Sequence, residues 1–167
     1  MAVHRAAGGI DALRHQLVAA VVEEAVAQVA WPRDDWRATV ETFAHGLRDL
    51  LMRHPLVLEA HRRASLDTPG ADDAAHRVVE ALQAGGLEPE EAAYGYAAVH
   101  DFVTGHVAIR LGRGDFEDPT NTPERRGASV FVRYHDSDRR FAVGLRMLLD
   151  GLSAASSTRT PIGGDDS

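Results

Sequence analysis

Seven prolines, at positions 32, 55, 69, 89, 119, 123 and 161, cut this chain into pieces, and most of the pieces carry apolar residues at helical spacing. Proline lacks the amide hydrogen that a helix interior needs and pushes the residue before it out of helical geometry, so each proline ends one helix or opens the next. The spacing predicts helices over 10–29, 34–53, 55–64, 71–84 and 89–111, a further one over 123–135, and a last one through 141–152. Ile10, Leu13, Leu17, Val21 and Val29 make the stripe of the first. Trp36, Val40, Phe43, Leu47, Leu50 and Leu51 make that of the second, with Asp34 and Asp35 at the positive end of its dipole. Ala75, Val78, Val79 and Leu82 face inward from the 71–84 helix, and "AGGLEPEEA" reads as a glycine-ended helix, an apolar anchor at Leu87 and a new start at Pro89. No strand alternation and no internal repeat stands out, so the fold class is all-α.

Two of these helices carry more apolar surface than one contact needs. On the 89–111 helix one face holds Tyr96, His100, Val103 and Val107, and another holds Gly95, Ala98, Phe102, Gly105 and Ile109. A helix apolar on two faces is buried on two sides. In "FAVGLRMLLDGL", Phe141, Gly144, Leu145, Leu148, Leu149 and Leu152 share one broad arc, with Gly144 and Gly151 along its edge. Glycine costs a helix about 1 kcal/mol relative to alanine, so each needs a reason such as the close approach of another helix.

Composition removes several function classes. There is no cysteine, hence no disulfide and no thiolate nucleophile or metal site. All 18 basic residues are arginine, and the net charge of −7 makes this stretch a poor nucleic-acid binder by itself. No apolar run reaches membrane-spanning length and no basic-then-apolar leader opens the chain, which fits a cytoplasmic location. His-Glu-x-x-His, Gly-x-Ser-x-Gly and phosphate-cradling glycine loops are missing, so no enzyme activity, cofactor or metal is expected. His100 and His106 fall on different faces rather than at the i, i+4 spacing of a helical metal site. His45, one turn after Glu41, reads as its solvated partner; His15 and His76 read as surface and His54 as a helix end.

Several local patterns resemble the ligand-binding part of tetracycline-repressor-like (TetR family) regulators. "WRATVETFAHGLRDLLMRHP" is similar to the family's aromatic-started helix ending in His-Pro. "VVEALQAGGLEPEEAAYGYAAVHDFVTGHV" is similar to its helix, Gly-Leu turn and long central helix, and "FAVGLRMLLDGL" resembles its last helix. The likeness runs over roughly residues 3–153, and "AVHRAAGGIDAL" resembles the junction that follows a recognition helix. It implies that residues 1–9 are a remnant of a DNA-binding head whose helix-turn-helix is mostly missing. Residues 10–153 would be a ligand-binding and dimerisation domain, and 154–167 a disordered tail. DNA contact would then run only through that missing head, and no membrane is involved.

The resemblance also implies a pocket inside each subunit, enclosed by the 34–53, 55–64, 71–84 and 89–111 helices, that takes a small hydrophobic ligand. Candidate contacts are Phe43, Leu47, Leu51, His61, Tyr96, His100, Val103, Thr104 and Val107. His100 reads equally as a core histidine bonded to a carbonyl and as a ligand contact. Dimerisation through a four-helix bundle would use Gly95, Ala98, Phe102, Gly105 and Ile109 with Phe141, Gly144, Leu145, Leu148 and Leu152, giving a homodimer. The function so implied is that of a small-molecule sensor whose ligand relieves DNA binding in the intact repressor. The alternatives are a DNA-independent ligand-binding or heterodimer-forming regulator, and an enzyme on the same fold with His100 as acid or base.

Overall fold

The computed structural model describes residues 9–63, 68–112 and 137–157. Among them are six helices, which we number in chain order: α1 (Gly9–Ala27), α2 (Trp36–Arg53), α3 (Pro55–Arg63), α4 (Pro69–Ala84), α5 (Pro89–Gly112) and α6 (Ser137–Ser157). The helix expected over 123–135, the 1–8 part of the expected head remnant and the 158–167 part of the expected tail lie outside the described residues. Residues 154–157, expected in the tail, extend α6 instead. No helix among the described residues is long and apolar enough to cross a membrane.

The ends follow from their capping residues. Asp35 caps α2 by accepting from the Ala38 amide at 2.9 Å, while Asp34, expected inside the helix, sits before it at φ 62°. His54 closes α2 with its amide on the Leu50 carbonyl at 2.9 Å, and Pro55 opens α3. Thr68 caps α4 through the Ala71 amide at 3.1 Å, ahead of Pro69 at its first turn. At the far end Gly86 adopts φ 99°, and the Leu87 amide returns to the Leu82 carbonyl at 3.2 Å. That left-handed turn drops Leu87 into the core.

The core has two parts. In one, Val40, Phe43 and Ala44 of α2 meet Ala74, Val78 and Leu82 of α4, Val99 and Val103 of α5, and Phe141, Leu145 and Leu149 of α6. In the other, Val18 and Val22 of α1 meet Leu50 and Leu51, Val57 and Leu58, and Val107. The inward face of α1 is therefore the Val18–Val22 line; Leu13 and Leu17, expected on it, are 59 % and 57 % exposed. "LVAAVV" is apolar over six consecutive residues, so periodicity alone offers two arcs, and packing against α4 and α3 selects the second.

The last helix packs on α5 and α2 of its own chain. A Cβ at Gly144 would lie 2.6 Å from Cζ of Phe102, so this glycine makes room for the Phe102 ring, which stacks on Phe141 at 5.5 Å and 25°. Gly95 likewise faces Leu152 and Leu82. Gly151 and Gly105 meet nothing within 4 Å and stand exposed. Three residues expected at a subunit interface, Gly95, Phe141 and Leu145, are buried in the chain's own core, because the inner half of each apolar arc is used within the subunit. Phe102, Gly144, Leu148 and Leu152 are half-buried, and Ala98, Gly105 and Ile109 are exposed. Ion pairs fix the start and middle of α6: Asp138 accepts from Arg48 and, at 2.8 Å, from Arg110, and Arg37 pairs with Asp150.

Candidate functional site

Between α1, α2, α3, α4 and α5 the packing leaves a cavity of about 590 Å³. Small residues hold it open: Ala25, Gly46, Ala71, Ala74, Ala75 and Ala97 lie in its wall, and a Cβ at Gly46 would touch nothing within 4 Å. Larger side chains at these points would close the space by the dense packing usual for protein interiors.

One wall is a row of rings. Phe43 lies 5.5 Å from Tyr96, Tyr96 lies 5.9 Å from His100, and His100 meets the edge of His61 at 4.7 Å. Trp31 lines the cavity from the loop after α1, and Val22, Val26, Leu47, Leu50, Leu51 and Val57 supply aliphatic surface. The polar lining consists of Thr42, Thr104, Gln28, Arg53 and the carboxylates of Asp49, Asp72 and Asp101. The Thr104 hydroxyl is buried without a hydrogen-bond partner, leaving bonding capacity unused in the wall. Trp36, the second tryptophan, lies outside and borders a separate cleft with Trp31, Arg77 and Glu80.

Burial shifts the titration of two members of the ring row, His61 and Tyr96. Desolvation pushes the His61 pKa below its ordinary value; the nearby His100 adds to this and Asp101 opposes it. Burial pushes the Tyr96 phenol upward, helped by the negative charges of Asp72 and Asp101. At neutral pH, therefore, His61 is an uncharged imidazole and Tyr96 a hydroxyl donor. Nδ1 of His100 stands 3.5 Å from Oδ1 of Asp101.

Seven of the nine candidate contacts line this cavity: Phe43, Leu47, Leu51, His61, Tyr96, His100 and Thr104. Val103 and Val107 do not, and both are fully buried in the core. On α5, Tyr96, His100 and Thr104 form one line at four-residue spacing and Val99, Val103 and Val107 form the adjacent line; the first faces the cavity and the second the core. The contribution of α1 and of Trp31 was not foreseen. The 71–84 helix, α4, encloses the cavity as expected, through residues the candidate contacts did not include: Ala71, Ala74 and Ala75 in "GADDAA", the signal of a helix face left thin.

Histidines outside the cavity have structural surroundings. His45 sets its ring edge against Phe141 at 5.3 Å rather than pairing with Glu41, whose carboxylate is 3.8 Å from Arg37. His106 packs against Phe102 and Phe141, and burial, with Arg48, Arg140 and Arg110, lowers its pKa against the opposing Asp138. Among the described residues no three His, Asp or Glu side chains converge to hold a metal ion.

The same helices in the same arrangement occur in solved regulators. ActR, a TetR family protein of Streptomyces coelicolor, was solved in complex with actinorhodin; it superposes with a TM-score of 0.72 at 22% identity, over 93% of this chain and 81% of that one. Another S. coelicolor TetR regulator superposes at 0.69 and 21% identity, over 93% and 82%. BioQ of Mycobacterium smegmatis does so at 0.61 and 21% identity, over 84% and 74%. No curated protein sequence matches the chain significantly. The family model described as "Tetracyclin repressor-like, C-terminal domain" matches residues 30–156, most of the chain. With the fold and the sequence in agreement, the chain belongs to the tetracycline-repressor-like C-terminal domain family of TetR transcriptional regulators.

Proposed function

We propose that this chain is the ligand-sensing and dimerising part of a transcriptional repressor. A small, mainly apolar molecule occupies the cavity, and the bound molecule weakens DNA binding by a head joined to α1. The observation that carries this reading is a roomy cavity with aromatic walls, one side of which is α1 itself. Val22, Ala25 and Val26 of α1 face the same space as Ala71, Ala74 and Ala75 of α4. A ligand between them changes the relative stability of two positions of α1 only by touching α1 differently in each. Support from relatives is general: ActR was solved with actinorhodin, a molecule carried in a fold like this one.

A second copy completes the molecule by packing on α5 and α6. Ala98, Gly105 and Ile109 of α5 and Met147 and Gly151 of α6 are all exposed, Ile109 and Met147 to 49 % and 65 %. Small residues beside large apolar ones suit close helix–helix packing across a two-fold axis.

Thermal unfolding with acridone, a flat, neutral tricycle, tests the ligand reading. At roughly ten times its Kd such a ligand adds about 1.4 kcal/mol to stability, which raises the Tm of a domain this size by roughly 3–6 °C. Ala75→Phe, which fills the cavity, should abolish the rise. An unchanged Tm for the native chain at saturating acridone contradicts the proposal.

A further inference from the structure

We infer that Glu23 is the positioning residue through which the cavity acts on α1: its carboxylate, latched to the first turn of α4, fixes α1 at the spacing a bound molecule needs. This rests on the reading of the cavity as the ligand site and adds the residue that couples that site to α1. Val22, Ala25 and Ala71 lie in the cavity wall, whereas Glu23 and Gly70 do not. The bond between them therefore stands at the rim, one residue from the wall on each helix. There it responds to the separation of α1 and α4 without touching what lies between them.

The latch is built from both sides. Gly70 is buried, and its amide donates to Oε1 of the half-buried Glu23 at 2.6 Å. A Cβ at position 70 would stand 2.8 Å from Oε2 and 3.0 Å from Cδ, so the carboxylate occupies the place of a side chain and requires glycine there. Thr68 accepts from the next two amides, Ala71 through its hydroxyl at 3.1 Å and Asp72 through its carbonyl at 3.0 Å. The carboxylate from α1 thus supplies the acceptor that this helix end still lacks. Among the described residues this is the one hydrogen bond from α1 to another helix; Val18 and Val22 meet their neighbours through apolar contact. Apolar surfaces can slide, whereas a charge-assisted hydrogen bond is lost within about 1 Å of stretch. Across the cavity Ala25 of α1 faces the space shared with Ala71, Ala74 and Ala75 of α4. Interiors close such a space unless something sets its width, and the latch does so. A molecule that fills the space then favours the latched position of α1, and the latch favours the molecule by the same factor.

Acridone affinities of the full chain test this, with Kd read from quenching of tryptophan emission and the folding of each variant checked by circular dichroism. Glu23→Ala and Gly70→Ala break the bond from its two sides and leave the cavity wall untouched. Each should raise the Kd for acridone about tenfold, because α1 then spends less time in the binding position. Acting through one bond, the two together should do no more than either alone. Glu23→Gln keeps an oxygen that accepts from the same amide, and should hold the Kd within about threefold of the native value. A residue that serves stability alone would lower the Tm and leave the Kd of the folded chain unchanged. The inference is overturned if folded Glu23→Ala or Gly70→Ala binds acridone as the native chain does, or if their effects multiply in the double variant. The ligand-site reading then stands on the native Kd. If the native chain does not bind acridone, that reading falls and the inference falls with it.

Discussion

Gly144 shows how a single missing methyl group sets a helix crossing. Its place on an apolar arc marked it in the sequence as a point of close approach, yet the group that approaches, the ring of Phe102, lies some forty residues earlier and is invisible to any local pattern. Gly46 is the converse: a mid-helix glycine whose added Cβ would meet open space. The two respond oppositely to alanine. Gly144→Ala forces Phe102 aside and should destabilise by about 1 kcal/mol or more even after the gain in helix propensity. Gly46→Ala should stabilise by about 1 kcal/mol while shrinking the cavity. Chemical denaturation midpoints of the two variants check the signs; a stabilised Gly144→Ala would mean that the Phe102 contact is not close.

Among the elements, α5 was the most legible and the most easily misread. Its two-sidedness was plain from sequence, but Val103 and Val107 are neighbours of the Tyr96–His100–Thr104 line by less than a quarter turn, and only packing separates wall from core. The face of α1 was illegible for another reason: its apolar residues run without a gap. What holds α1 in place is specific. The Glu23 carboxylate accepts from the Gly70 amide at 2.6 Å, at the positive end of α4, and a Cβ at Gly70 would lie 2.8 Å from it. Glu23→Ala leaves that buried amide unpaired and should cost about 1–2 kcal/mol. It should also speed amide exchange in α1 more than in α5 and α6, which mass-resolved hydrogen exchange reads directly. Equal effects on all helices would show that Glu23 serves general stability instead of the α1–α4 contact.

At the scale of the whole molecule, fold class and helix order follow from the prolines, the caps and the periodicity, because each is a local rule. The cavity was legible only through the family resemblance, since a void between five helices is a property of their mutual placement. The proposed dimer depends on the outer halves of α5 and α6. Gly105 and Gly151 are exposed with space around them, so Gly105→Arg with Gly151→Arg should leave the subunit folded and lower the sedimentation-equilibrium mass from that of a dimer to that of one chain. A native chain that sediments as a monomer at micromolar concentration would contradict the interface.

The cavity itself is tested most directly through its own tryptophan. In the variant Trp36→Phe, Trp31 is the sole remaining indole, in the cavity wall. Titration with acridone should then quench its emission saturably, at one molecule per chain, and adding Ala75→Phe should remove the saturable part. Quenching that rises linearly with acridone, and equally in both variants, would mean that the space between α1 and α5 does not bind a ligand.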